Sequence, residues 1–486
     1  MADIFGRHWF TFTLAAQALM RTRLLVLLLL VVALASSLSA QDRRTPKLKA
    51  YLRAAAALGQ LNGSVLVAEN GKILVDSGYG FANMELGVRN TPLTRFRVAS
   101  VTKQFSGMAA MMLAHDGKLA LTDPITKYLD SIPAEWGTIT VHDLLRHTSG
   151  ISDYEEWFDG YNTQAYSDYM SQEHAAARIA RDVRTRPLDF PPGSKFHYSN
   201  SAYILLGYVI ERASGMAFEQ FLQQRIMGPL GMTLSTQDRS EVQVANRAQG
   251  YRLRPGAMPW AYFKGLTKDD YLNGYYQLME PPQADAGLIT TTRDLYTWDQ
   301  ALYTERLVPK VLLDSIFTPG LGDYGYGWFI RRGPDGVTHE HSGGLPGFTC
   351  YIMRIPEHHR TIILLTNTDR LGRTVRDLAS IMRGDSVAVP RSRQLLPNDS
   401  TVNAAFTGTY RMASGDSLQV IMDGSTLVGW WRDHWRVAFF REAGTAANYF
   451  APNLGSTVRF RDGGEGKRVE ITELVGNPLV RAVRAP

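Results

Sequence analysis

Apolar and polar positions change period several times along this chain, and each change predicts an element. Asp42–Leu61 carries Leu48, Tyr51, Leu52, Ala55, Ala56 and Leu58 at helical spacing, which predicts a helix. Gly63–Gly80 holds two β-rich apolar runs around Asn70-Gly71, a pair that favours a tight hairpin. Phe81–Arg95 is a polar connection. From Val101 onward Phe105, Met108, Met112 and Leu113 recur at three or four residues, and Gly117 supplies a stop, so a second helix is expected there. Thr140 is placed to cap a helix over Val141–Arg146 that ends at Ser149-Gly150. The loop that follows is dense in Tyr154, Trp157, Phe158, Tyr161, Tyr166 and Tyr169, which either line a pocket or pack over the core.

In the second half, Pro191-Pro192-Gly193 forces a turn, and an apolar helix is expected from Ala202 to Ala213. Tyr251–Pro282, rich in Gly, Pro and aromatics, reads as an insertion or a lid. Thr292 is a candidate cap for a helix starting near Asp294. Tyr324–Asn367 alternates in the manner of neighbouring antiparallel strands, and a helix follows near Thr374–Met382. Arg383–Ser400 turns polar and proline-containing, so a domain boundary is placed there. Thr401–Pro486 is nearly all strand-like, with turns at Asp423-Gly424, Gly444 and Gly463-Gly464. A small β-barrel or sandwich is expected, its core supplied by Trp430, Trp431, Trp435, Phe439 and Phe440. The expected organisation is a leader at 1–40, a main domain at 41–390, a linker at 391–400 and a β-rich domain at 401–486.

Composition narrows the function classes. The 486 residues are 45% hydrophobic and 20% charged, a globular balance. The net charge of +6 comes without a long Lys/Arg run, which excludes a nucleic-acid reading. Part of that charge lies in Arg7, Arg21 and Arg23, ahead of the apolar run Leu24–Ala35 and the small residues Leu38-Ser39-Ala40. This is the pattern of an export signal, cleaved at either Ala35 or Ala40, or kept as an N-terminal membrane anchor. Cys350 is the sole cysteine, so no intrachain disulfide forms; with export, this leans towards a bacterial envelope, periplasmic or secreted.

The chemistry begins at Ser100 and Lys103. If a helix starts at or just before Ser100, three-residue spacing puts both side chains on one face. The serine then sits at a helix N-terminus, and the lysine, if buried, can take its proton. Two further short motifs follow in order: Tyr198-Ser199-Asn200, then His341-Ser342-Gly343. His339 and His341 share a strand face with no third ligand implied, so no metal is expected, and no cofactor motif is present. His197 reads as a hydrogen-bonded neighbour and His147 as a loop-fixing residue.

This set, with the hairpin before the serine, DLLRHTSG at Asp143–Gly150, FPPGSKFHYSN at Phe190–Asn200 and HSGGLPGF at His341–Phe348, resembles the serine β-lactamase and penicillin-binding family, in its class C-like branch. The resemblance covers roughly Asn62–Asn367. It implies an α/β (α+β) fold, an antiparallel sheet flanked by helices with a mostly helical subdomain, and a site between them. The C-terminal region is similar to the lipocalin-like appendage of some members. By resemblance Ser100 is the nucleophile, and Lys103 and Tyr198 shuttle its proton, the tyrosine needing a nearby cation to stabilise its phenolate. Asn200 holds Lys103 and the substrate amide; His341, Ser342, Gly343 and Gly344 bind substrate, with the N–H groups of Ser100 and Gly344 as the oxyanion hole. Members with β-lactamase activity usually carry lysine where His341 stands. A histidine, mostly neutral at pH 7, fits esterase- or peptidase-like members better. The implied function is an exported serine hydrolase of an ester or amide: an esterase, or a D-Ala-D-Ala-type or D-amino-acid peptidase. The alternatives are a β-lactamase and a non-catalytic sensor or scaffold. The partner is a small-molecule or peptide substrate; the oligomeric state is left open.

Overall fold

The computed structural model describes residues 43–484 except 159, 162, 173, 256, 258–262, 370–371, 413–416, 432–434, 444–447, 452–455, 463–466 and 475–476. The leader expected at Met1–Ala40 lies outside the described residues. Among the described ones, no helix is long and apolar enough to cross a membrane.

The first helix, α1, runs Arg44–Ala57. The hairpin follows as β1 (Gly63–Glu69) and β2 (Lys72–Tyr79), with Asn70 and Gly71 both at positive φ, as a tight two-residue turn demands. The chain returns to this sheet much later, through β3 (Phe329–Gly333), β4 (Gly336–Leu345), β5 (Phe348–Ile355) and β6 (Arg360–Thr366). The spatial order is β3-β4-β5-β6-β1-β2, and every neighbouring pair is antiparallel. Gly63 pairs with Thr366, so the two halves of the chain meet in the middle of the sheet.

The central strands are apolar on both faces because both faces are covered. Val65, Val67, Ile362 and Leu364 pack under α1 and α6 (Thr374–Arg383) through Leu48, Leu52, Leu378 and Met382. Leu66, Ile363, Leu365 and Ile352 face the larger core, which includes α2 (Thr102–His115), α4 (Asn200–Ser214) and α5 (Thr292–Ala301). Between α2 and α4 lies the short α3 (Val141–Arg146), whose Thr140 and Asp143 cap each other's backbone N–H groups.

Some boundaries differ from those expected. Helix α3 ends at His147, not Ser149-Gly150, because His147 itself adopts the left-handed conformation (φ 57°) and its ring is held from elsewhere. The cap of α5 is Thr291 rather than Thr292; its side chain accepts from the Asp294 N–H, the reach required at a helix start. The first five residues of the run beginning at Tyr324 turn before β3 instead of extending it. Tyr251–Pro282 is not a plain loop: Tyr251–Leu253 pairs with Tyr271–Asn273 to form a small arm beside β4 and β5.

Eight C-terminal strands form a closed antiparallel barrel: β7 (Gly408–Met412), β8 (Ser417–Asp423), β9 (Thr426–Trp431), β10 (Trp435–Arg441), β11 (Asn448–Ala451), β12 (Ser456–Asp462), β13 (Lys467–Leu474) and β14 (Asn477–Arg484). Closure comes from β14 pairing back on β7, which leaves no edge. The core is Tyr410, Leu418, Val420, Leu427, Val437, Phe439, Tyr449, Val458 and Phe460. Among the expected aromatics whose side chains are described, Phe439 belongs to it. Trp430 is half-buried, and Phe440, one residue on along the strand, points the other way and meets Phe263 of the arm. The side chains of Trp431 and Trp435 lie outside the described residues.

The part of the fold that matters most for chemistry is a single turn. Ala99–Val101 is one turn of tighter 3-10 helix leading into α2, so Ser100 precedes the α-helix proper. Ala99 is held at φ 49°, a left-handed conformation that strains any residue with a Cβ. The turn is clamped from below. The Cys350 thiol donates to the Arg97 carbonyl at 3.3 Å, and Gly343 of β4 packs directly under it. A Cβ at Gly343 would lie 2.2 Å from the Val98 carbonyl oxygen, 3.0 Å from the Ala99 Cβ and 3.1 Å from the Ser100 nitrogen. Those atoms are mostly backbone and cannot swing aside. Gly343→Ala is therefore expected to destabilise the fold by about 1–3 kcal/mol and to displace the Ser100 turn. Thermal unfolding together with fluorophosphonate labelling of Ser100 checks this. Gly333→Ala, where a Cβ would have only 3.9 Å contacts, is the control expected to change neither.

Candidate active site

Lys103 lies one turn into α2 with no exposed surface, while Ser100 is half-buried and reaches the solvent side. An ammonium has three N–H donors, and all three are placed. Lys103 Nζ donates to Ser100 Oγ at 3.1 Å, to Asn200 Oδ1 at 2.6 Å and to the Asp285 carbonyl at 3.0 Å. Burial lowers its pKa to about 8, against the opposing pull of Asp285, Glu155 and Asp153. When the proton facing Ser100 leaves, the other two hydrogen bonds hold the amine so that its lone pair points at the serine hydroxyl.

Asn200 is oriented from behind. Asp153 accepts the Asn200 backbone N–H at 3.0 Å and its side-chain N–H at 3.1 Å. With its amide nitrogen fixed on a carboxylate, Asn200 can only turn its oxygen to Lys103. Asp285 contributes its carbonyl to Lys103, and its carboxylate accepts from the Tyr154 hydroxyl at 3.0 Å. Burial raises the pKa of both aspartates, partly offset by the Lys103 charge.

Tyr198 faces Ser100 but is not poised as a phenolate. Burial pushes its pKa well above the ordinary phenol value, the hydrogen bond with Ser100 opposes this, and nearby Glu155 and Asp153 push it higher still. Lys103 sits 4.9 Å over the Tyr198 ring face. The stabilising cation expected for a Tyr198 phenolate therefore supports the ring instead, and of these two groups Lys103 is the one brought towards neutral pH. Behind Tyr198, the His147 ring lies 4.2 Å away, and its Nδ1 accepts the Ser199 N–H at 3.0 Å. His147 thus fixes the Tyr198–Asn200 segment from the end of α3. His197 points outward to Glu156 at 3.0 Å, a hydrogen-bonded neighbour as expected.

The strand β4 supplies the opposite wall. His341 is buried beside Tyr198, and both ring nitrogens are engaged within the protein. Nδ1–H donates to the Ser342 carbonyl at 2.6 Å, and Nε2 accepts from the Tyr324 hydroxyl at 3.0 Å. Burial and the Lys103 charge push its pKa down to about 3, so it is neutral. The substrate-binding role expected for its ring is therefore not open to a direct hydrogen bond. Ser342 is exposed, Gly343 carries the Ser100 turn, and Gly344 faces the aromatic loop. A Cβ at Gly344 would lie 2.5 Å from the Tyr161 hydroxyl. The aromatic segment therefore does both things considered: Tyr154 and Tyr166 are core, and Tyr161 closes over the strand that carries Gly344.

Asp153, Glu155, Asp285 and Tyr324 complete the surroundings and were not singled out from the sequence. Each stands in a short stretch with no spacing signal, and only the fold brings them to Lys103.

The sequence profile of the family described as Beta-lactamase matches residues 48–385, well over half the chain. The chain belongs to the β-lactamase family. Among its relatives, penicillin-binding protein 4* of Bacillus subtilis (strain 168) is 29% identical over 395 residues, covering 76% of this chain and 83% of its own length. The crystal structure of a penicillin-binding protein from Bacillus halodurans superposes with a TM-score of 0.58 at 26% identity, over 69% of this chain and 98% of that one. An octameric penicillin-binding protein homologue from Pyrococcus abyssi shares the fold over 90% of this chain and 99% of its own, with a TM-score of 0.63 at 24% identity. The β-lactamase-family fold thus accounts for the sheet and the helices that flank it.

If Lys103 is the base, only its neutral form is active, so kcat/KM for ester hydrolysis should rise with pH through about 8 and level off above. The Asp153 charge raises the Lys103 pKa, so Asp153→Asn should move this limb to lower pH. The pH dependence of Ser100 labelling by a fluorophosphonate reads the same shift without turnover; a limb that moves to higher pH contradicts the assignment.

Proposed function

We propose that this β-lactamase-family chain is an exported serine hydrolase that cleaves an ester or amide through an acyl-serine on Ser100. The observation that carries the reading is the buried chain Asp153–Asn200–Lys103–Ser100, which aims an amine of lowered pKa at an accessible hydroxyl. Ser100 Oγ bonds to the carbonyl carbon as its proton passes to Lys103 Nζ. The resulting oxyanion is met by backbone N–H groups, for which Ser100 and Gly344 are the candidates. Collapse breaks the bond to the leaving group, which takes a proton from the Tyr198 hydroxyl, and Lys103 restores that proton. Water then adds to the acyl-serine as its proton passes to the Lys103 amine; collapse breaks the bond between Ser100 Oγ and the carbonyl carbon, Ser100 Oγ takes that proton back from Lys103, and the acid is released. Tyr198 serves throughout as a neutral relay, which agrees with its raised pKa.

The neutral, internally bonded His341 argues for an esterase or a peptidase acting on D-amino-acid substrates that carry no carboxylate on the leaving side. A substrate carboxylate of the kind a β-lactam presents finds no cation at this position. A fluorophosphonate should label Ser100 in the wild type and leave Ser100→Ala unlabelled, and Ser100→Ala should lose at least about a thousandfold in p-nitrophenyl ester turnover. Ester rates should exceed those on a chromogenic cephalosporin. A dominant cephalosporin rate would make the chain a β-lactamase in activity; absence of both labelling and turnover would favour a scaffold.

A further inference from the structure

A second cavity, of about 430 Å³, opens beside β2, the edge strand of the sheet remote from β4, and shares no lining residue with the Ser100 site. Its walls come from the C-terminal turns of α1, from β2 with the small hairpin Phe81–Asn83 and Val88–Arg89 that follows it, and from the arm. The arm is docked closely on α1. The Leu266 N–H donates to the Leu58 carbonyl at 3.0 Å, and the Tyr271 hydroxyl donates to the Gly59 carbonyl at 3.1 Å. Gly59 has φ 67°, and a Cβ there would lie 2.6 Å from the Leu266 Cβ. The cavity is therefore held in shape by backbone contacts, and its volume is that of a small-ligand pocket.

Each of these segments brings one cation to the lining: Arg53, Arg89 and Lys268. All three are exposed, and among the described residues none of them pairs with a carboxylate. No Asp or Glu lines the cavity. Asp270, next to Lys268 in the chain, is spent on the Thr267 N–H at 2.9 Å and the Thr267 hydroxyl at 3.0 Å. Glu85 and Asp269 line an adjoining cavity that Lys268 also borders, and there Glu85 accepts from the Tyr251 hydroxyl. Like charges fixed around one opening raise the local positive potential, which an incoming anion relieves. Behind the cations the walls turn apolar, with Tyr79, Phe81 and Leu61. The Arg89 guanidinium lies 4.3 Å over the Phe81 ring, which holds it at the boundary between the charged rim and the apolar wall. Asn62, the polar residue among them, is consumed: it accepts the Phe81 N–H at 2.7 Å and donates to the Phe81 carbonyl at 2.9 Å and to Asn367 Oδ1 at 2.8 Å. The cavity thus offers cations at its mouth and apolar surface within.

We propose that this cavity binds a phosphate monoester bearing an apolar chain or ring, its phosphate met by Arg53, Arg89 and Lys268 and its apolar body laid against Tyr79, Phe81 and Leu61. A phosphate monoester carries close to two negative charges at neutral pH and several acceptor oxygens, which suits cations arriving from separate segments. The site stands apart from Ser100, so it holds whether or not the chain is a hydrolase. Calorimetric titration of the full chain with n-octyl phosphate, inorganic phosphate and the uncharged n-octyl glucoside tests it. Octyl phosphate should bind at least about tenfold more tightly than either of the others, since each of them lacks one half of the recognised ligand. The double variant Arg53→Gln, Arg89→Gln should weaken octyl phosphate at least about tenfold, the loss expected for charge-assisted hydrogen bonds, with thermal unfolding unchanged because both side chains are exposed. Arg332→Gln, an exposed cation on β3 at the opposite edge of the sheet, should leave the affinity as it was. Vesicles separate two sources of the same chemistry. Binding to phosphatidylcholine vesicles only when they contain phosphatidate, weakened by the double variant, identifies a lipid ligand; octyl phosphate binding without vesicle binding identifies a soluble one. Octyl phosphate binding no tighter than octyl glucoside, or an affinity that the double variant leaves unmoved, overturns the assignment.

Discussion

Everything in the site depends on burying the Lys103 amine completely while giving each of its hydrogens a partner. An ammonium out of water is unfavourable by several kcal/mol, and that penalty is what brings its proton affinity down towards neutrality. Three acceptors from three separate parts of the chain keep it in place: the serine of its own turn, an asparagine opening α4, and a carbonyl just ahead of α5. The sheet, α2, α4 and α5 share one core, so the positions of these acceptors are fixed to within the rigidity of that packing. Loss of any one acceptor changes both where the amine points and how readily it accepts a proton.

The second constraint is steric. Ser100 sits after a strained alanine and above a glycine of β4, so the Ser100 turn and β4 are pressed together. Strain of this kind survives only where neighbouring structure over-determines it. Here the clamp is double: a sulfur–carbonyl contact on one side and the bare backbone of Gly343 on the other.

Much of this was legible in the sequence, for identifiable reasons. Helical and strand periods gave α1, the β1–β2 hairpin, α2 and the strand that carries His341, because those elements bury one or two well-defined faces. Ser100, Lys103, Tyr198 and Asn200 were readable because they sit at fixed short spacings, and the structure brings them together. What escaped was set by long-range packing. Nothing local marks Asp153 as the residue that turns the Asn200 amide, or Tyr324 as the partner that occupies His341. The left-handed turn of His147 was missed because it depends on a ring held by a segment fifty residues away. In the barrel, strand alternation turned Phe439 inward and Phe440 to the other side, a choice of face that the run of aromatics did not show.

Cys350 packs against the same turn. Its thiol is fully buried under the Arg97–Ser100 stretch, and burial raises its pKa to about 12. Thiolate, not thiol, is what oxidants, metals and disulfides react with. The sulfur that touches the base of the Ser100 turn is therefore chemically silent. The protein keeps the packing advantage of a small polarizable atom there without exposing the Ser100 turn to redox chemistry or to covalent pairing with a second copy.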